Sequence, residues 1–239
     1  MNAADKRGLN LMNNGRRFAI FRLPAHGRNE FLPLAGEPTC DVEYVNPHDY
    51  RGGAQVLIIP GSRRTTEDLI YFLSAGGERI IREHLASGGT VLGICGGYQM
   101  LGRSLYDPLH TQGPKLTMPG LGWLPIATSF GPSGLVSDST MELLVGHGSG
   151  ALVTGRENRS GYSLTELDAA CFGPLLKVVS RQLLSPQPVP AVLDNGVAWE
   201  AGQEKLDGLV SDDRRLWGTY LHMICHNPAF LRSFLECLP

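Results

Sequence analysis

An excess of charge of either sign is missing from this chain of 239 residues: 21 Lys and Arg stand against 23 Asp and Glu, a formal net charge of -2. A nucleic-acid binder would carry a basic stripe, so no nucleic-acid partner is expected. Charged residues of all kinds reach only 18% against 42% apolar ones, which excludes disorder over the whole length. No apolar run approaches the roughly 18 to 20 residues of a membrane span, and Met1 to Arg17 contains neither an apolar signal core nor a cleavage site. No membrane association and a cytoplasmic location are therefore expected. The five cysteines, Cys40, Cys95, Cys171, Cys225 and Cys237, are odd in number and scattered, so free thiols are expected rather than a disulfide framework.

Glycine is plentiful, at 30 residues, and proline reaches 16, which implies tight loops between short elements. Residues 1–16 lack apolar periodicity and read as a mobile lead-in to one folded domain over residues 17–239. Phe18 to Phe21 is a short apolar run, and Val56 to Ile59 is a continuous one ended by Pro60-Gly61, as in a strand buried on both faces. Thr66, followed by Glu67 and Asp68, reads as a helix start whose apolar spacing continues through Ile80, Ile81 and Leu85 to a stop at Ser87-Gly88-Gly89. Thr90 to Ile94 is the next buried strand, with a helical pattern from Tyr98 to Leu105. Strand, helix, strand and helix in this order point to an α/β fold with an open, mostly parallel sheet and helices on both faces.

Gly120 to Val179 alternates like strands and reads as excursions on the sheet's edge. Ser185 to Pro190 holds three prolines and reads as a stiff loop, and Val197 to Trp199 with Leu209-Val210 suggests a hairpin. Leu216 to Leu221 is another buried strand, and Asn227-Pro228 opens a closing helix.

The densest chemical signal is Gly93-Ile94-Cys95-Gly96-Gly97-Tyr98-Gln99-Met100-Leu101-Gly102. It places a cysteine between a buried strand and a helix start with glycines two residues to either side, the pattern of a nucleophile elbow carrying sulfur. Glycine permits the sharp turn, and the helix start favours the thiolate. A thiol nucleophile needs a base, and His222 follows the late strand ending at Leu221. Carboxyl ends of neighbouring parallel strands meet in one crevice, so His222 can reach Cys95. The Pro60-Gly61-Ser62 turn ends another strand, where the Gly61 N–H can join that of Gly96 as an oxyanion donor pair. His222 and His226 stand four apart, but no second cysteine or carboxylate pair completes a tetrahedral set, so no metal site is expected. His26, His48, His84, His110 and His147 have no motif around them.

Taken together, Val56 to Thr65 with Asp68-Leu69, Gly93 to Gly102, Asp107-Pro108, Gly120-Leu121-Gly122 and Gly218-Thr219-Tyr220-Leu221-His222 resemble the glutaminase domain of cobyric acid synthases, in that family's order. The resemblance runs from about Phe18 to Leu235 and implies a class I glutamine amidotransferase with a flavodoxin-like fold. It implies that Cys95 attacks the glutamine amide, Gly61 and Gly96 hold the oxyanion, and His222 handles the protons. Tyr98 and Gln99 would line the glutamine pocket or support the elbow. It also implies a separate ATP-dependent synthetase chain as partner, with ATP and magnesium bound there and no cofactor here, since the chain contains no Gly-x-x-x-x-Gly-Lys stretch.

The family tends to read Gly-Tyr-Glu-Ile-His where this chain has Gly161-Tyr162-Ser163-Leu164-Thr165. Relatives in the wider class often place Glu two residues after the histidine, where Ile224 stands. The branch this chain resembles works as a Cys-His dyad, so Ile224 does not count as a lesion. Asp212 and Asp213 could orient His222, although solvated turn residues are the better expectation. Two other readings stay open: a glutaminase of the same branch serving another acceptor, such as a lipid-linked cell-wall precursor, and a regulatory module that no longer turns over glutamine.

Overall fold

The structure, a computed structural model, describes residues 15–26, 30–165, 170–184, 191–192, 198–199 and 205–238. The sequence expectations for residues 1–14 and 185–190 lie outside these. Strand β1 (Arg16–Phe21) leads through helix α1 (Leu32–Gly36) to β2 (Cys40–Val45) and β3 (Val56–Ile59). Helices α2 (Thr65–Ser74) and α3 (Gly77–Ala86) precede β4 (Thr90–Ile94), which runs into α4 (Gly96–Leu101). Next come β5 (Ser104–Tyr106), β6 (Thr117–Pro119) and three long strands, β7 (Ile126–Leu143), β8 (Leu152–Thr165) and β9 (Phe172–Leu183). The chain closes with β10 (Ala191–Val192), β11 (Ala198–Trp199), β12 (Leu206–Ser211), β13 (Leu216–Thr219), β14 (Leu221–His222) and α5 (Pro228–Glu236).

The expected α/β sheet is present. Its central strands run β2-β1-β3-β4-β13, all parallel. Every residue of β3 and β4 is buried, which is why both read as unbroken apolar runs. On β13, Trp217 packs edge-on against Phe234 of α5 at 5.1 Å between ring centroids, while a side chain on Gly218 would meet Tyr98 of α4. Successive strand residues point to opposite faces, so α4 and α5 cover opposite sides.

Beyond β13 the sheet continues antiparallel, in the order β12, β9, β7, β8, β14. Because β14 follows β13 almost directly in the chain yet pairs with β8, the extension curls back over the carboxyl end of β13. The alternation in the middle of the sequence thus forms a second, folded-over half of the sheet.

Three local expectations change. The single helical run from Thr66 to Leu85 is two helices, because Gly76 takes a left-handed φ of 80° and Gly77 leaves the room that Phe72 fills. The helix after Cys95 ends at Leu101, and Ser104–Tyr106 is a strand pairing with β6 and β7. Trp199 pairs with Ala191, whereas Leu209-Val210 pairs with β13 and β9, so the expected hairpin between them is not formed; Val197 lies outside the described residues. Among the described residues no helix is long and apolar enough to cross a membrane.

Candidate active site

Cys95 sits at the junction of β4 and α4 with φ 50° and ψ -106°, a conformation a non-glycine residue adopts only when its surroundings impose it. Its N–H donates to the Thr219 carbonyl at 2.8 Å, and Thr219 is in register with Ile94 across the β4–β13 pair. The turn therefore starts from a rigid parallel ladder. On its far side α4 approaches the end of β3 so closely that a methyl group on Gly97 would collide with the Ile59 carbonyl. The glycine after the elbow is dictated by this backbone contact.

His222 leaves the same end of the sheet, three residues after the end of β13, with the Cys95 sulfur close enough to act on its charge. Burial disfavours its imidazolium form, but the Cys95 sulfur and the Glu30 carboxylate beside it outweigh that, and its pKa is raised to about 11. Gly61 lies directly against the ring: a side chain there would stand 2.6 Å from His222 Cε1. A side chain on Gly96 would stand 2.7 Å from the Ser62 backbone nitrogen. The four residues Cys95, His222, Gly61 and Gly96 thus come together from the ends of β4, β14 and β3. The Gly61–Ser62 loop is fastened by Ser62 Oγ donating to Asp68 Oδ2 at 2.6 Å.

Gln99 is buried, with Nε2 donating to Tyr220 Oη at 3.1 Å and Oε1 accepting from Thr65 Oγ1 at 3.0 Å. Tyr98 is buried and stands edge-on to Tyr220, ring centroids 5.3 Å apart. Tyr220 continues the chain of hydroxyls to Ser163 Oγ at 2.6 Å, and Ser163 to Thr128 Oγ1 at 2.6 Å. A hydroxyl at position 163 therefore has a structural partner where the resembling family tends to carry Glu.

The folded-over half closes the other side. Cys95 Sγ donates to the Asn158 carbonyl at 3.4 Å, and His222 pairs with Arg156 across β14 and β8. A groove of about 830 Å³ opens beside them, its lining including Asn158, Arg156, Thr154, Arg181 and His222. Beneath it Glu157 receives Arg181 at 2.6 and 3.1 Å and Arg159 at 3.3 Å. Burial alone would raise the Glu157 carboxyl, but the two guanidinium groups hold it below the usual range. Arg159 also lies 4.3 Å from the centre of the Tyr220 ring, a cation–π contact. Asp207 accepts the Tyr220 N–H and the Thr219 hydroxyl at the bend between β13 and β14. Burial and the Glu157 charge push its pKa up to about 6.

Sequence reasoning missed Glu30, whose Oε1 lies 3.1 Å from His222 Nδ1. It considered Asp212 and Asp213 instead; Asp213 bonds Ser211 and Arg215. No local motif marks Glu30, 192 positions from its partner. His226 is exposed, and among the described residues no three His, Cys, Asp or Glu side chains are grouped as a metal site.

The model of the CobB/CobQ-like glutamine amidotransferase domain matches residues 14–230. The chain belongs to that family. Among curated relatives, the cobyric acid synthases of Crocosphaera subtropica and Acaryochloris marina are 34% and 31% identical over 222 and 221 residues. Each alignment covers 92% of this chain and 40% of the relative, so this glutamine amidotransferase domain spans about two-fifths of their length. Among solved structures, PurLQS from Thermotoga maritima superposes with a TM-score of 0.63 at 11% identity, covering 93% of this chain and 98% of that one. A second structure, titled a glutamine amidotransferase, gives a TM-score of 0.56 at 16% identity, covering 93% and 98%. These two likenesses establish the α/β fold of the family.

Proposed function

We propose that this domain hydrolyses glutamine and supplies the ammonia to a separate ATP-dependent amide synthetase of the cobyric acid synthase type, in cobalamin biosynthesis. The observation that carries the reading is Cys95 held in a strained turn at the strand ends where His222 also stands, with Gly61 against the His222 ring and Gly96 against Ser62. The Cys95 thiolate attacks the side-chain amide carbon of glutamine, and the N–H groups of Gly61 and Gly96 receive the oxyanion. His222 donates its proton to the departing nitrogen as the C–N bond breaks, leaving ammonia and a Cys95 thioester. The neutral imidazole then takes a proton from water as its oxygen attacks the thioester, which releases glutamate and returns Cys95 and His222 to the state that began the cycle. Tyr98 and Gln99 support the elbow through Tyr220.

The acceptor half rests on the relatives: they are named cobyric acid synthases and are longer than this chain, which supports a synthetase partner, and we propose that this partner is where ATP, magnesium and the corrinoid carboxylate bind. The reading is tested by following glutamate release from glutamine, alone and with such a synthetase supplied with ATP and a corrinoid acid. The rate is expected to rise with the complete partner system. Failure of any corrinoid-dependent synthetase to change it would remove the assigned acceptor.

A further inference from the structure

We propose that Glu30 is the positioning acid of this site, turning the Cys95–His222 pair into a three-membered arrangement whose third member comes from the opposite end of the chain. The inference rests on the glutaminase reading for its catalytic meaning, though not for its geometry. Glu30 is buried, and its Oε1 faces His222 Nδ1 at 3.1 Å while also accepting the Met223 N–H at 3.2 Å. One oxygen thus fixes both the ring and the backbone just after it.

That backbone needs fixing. Met223 has a left-handed φ of 65°, which costs energy for a residue with a Cβ. It follows a strand of only two residues, Leu221–His222. On the other side, Phe31 and Leu34 are buried, and α1 packs against the single 3-10 turn Ile224–His226. The segments that follow Glu30 and His222 are therefore packed against each other, with Phe31, Leu34, Ile224 and Cys225 buried.

The chemistry follows from the two ring nitrogens being distinct. A carboxylate accepting at Nδ1 selects the tautomer with its hydrogen there, which leaves Nε2 as the nitrogen available to Cys95. The same negative charge favours the imidazolium needed to protonate the departing ammonia. Ile224 occupies the position two residues after the histidine, so Glu30 supplies from the turn before α1 what that position does not. The other ionisable groups near Glu30 are Tyr44 and Cys225, and burial raises the pKa of both. The other charged residues lining the groove with His222 are Asp138, Arg156 and Arg181. Arg156 is paired with Asp138, and Arg181 with Glu157.

The test separates this inference from the glutaminase reading. In a Cys95→Ser background, which removes the thiolate, the His222 imidazole is titrated by NMR with Glu30 present and in Glu30→Gln. The pKa is expected to fall by about one to three units in Glu30→Gln, the effect of losing an adjacent opposite charge. With Cys95 intact, Glu30→Gln is expected to lower kcat for glutamine hydrolysis by roughly 10²- to 10⁴-fold. KM should stay within about threefold, because a positioning residue does not touch substrate. The basic limb of the rate profile should move to lower pH, and Glu30→Asp should recover part of both effects. An unmoved His222 titration in Glu30→Gln overturns the inference, whatever happens to kcat. A shifted titration in a protein with no glutaminase activity would uphold the Glu30 contact and sink the glutaminase reading.

Discussion

Between β3–β4–β13 and β7–β8–β9 the chain changes its means of holding a side chain in place. The parallel strands are filled with Val, Leu and Ile and offer Cys95 only backbone geometry: a ladder on one side, a glycine contact with Ile59 on the other. Each such apolar side chain contributes about 1.5 to 3 kcal/mol by burial, without direction. The antiparallel strands bury charge instead, with Glu157 between Arg159 and Arg181 and a run of hydroxyls from Thr128 to Tyr220. These interactions are directional and fail when one partner is lost. The comparison teaches that the strained nucleophile is set by packing, while its covering wall and the strand end bearing His222 are set by polar partners.

Changes at the junction of the two halves should cost most. His222→Ala is expected to lower glutamine hydrolysis by about 10²- to 10⁴-fold, measured as initial rates of glutamate formation, with little change in the denaturant midpoint. In the antiparallel half the effect should fall on stability. Glu157→Gln removes the carboxylate shared by two buried arginines and is expected to cost about 3 to 5 kcal/mol in urea unfolding. An apolar position of that half, such as Val153→Ala, would cost less if the comparison is right.

Asp207 sharpens the contrast through pH. Its carboxyl keeps a proton up to about pH 6 in the folded protein and loses it near pH 3.9 when unfolded. Between those values the folded state holds the extra proton, so its contribution to stability falls as pH rises. Asp207→Asn lacks this slope. Its stability relative to the parent should therefore improve by on the order of 2 kcal/mol from pH 4 to pH 7, read from unfolding midpoints across that range. The smallest effect is expected at Ser163→Ala, which breaks the hydroxyl chain at Tyr220 and should cost about 1 kcal/mol with less than a tenfold loss of rate.

How much of this was legible follows the same division. The Cys95 elbow could be read because strand, glycines and helix start are contiguous, and His222 because it closely follows an apolar run of the same kind, although it ends the short antiparallel β14 rather than β13. Gly61 was legible as a turn, although its contact with the His222 ring depends on the order of strands in the sheet. The parallel core announced itself in unbroken apolar runs. The antiparallel half showed only alternation, since nothing local tells Glu157 that it will meet Arg181, or that β14 will leave β13 for β8. Glu30 was invisible for the same reason: its partner is chosen by the packing of α1 against the turn after His222, not by spacing. Asp212 and Asp213 lay nearer His222 in sequence, but Asp213 is committed to Ser211 and Arg215 in its own turn.

The most direct measurement of the central claim is intact mass after exposure to an electrophilic glutamine analogue, on the native chain and on Cys95→Ala. The account predicts a single adduct on the native chain and none on the variant, because the strained thiol beside His222 is the group that meets the glutamine amide. An adduct that persists in Cys95→Ala, or none on a native chain whose Cys95 still reacts with a small general thiol reagent, would contradict it.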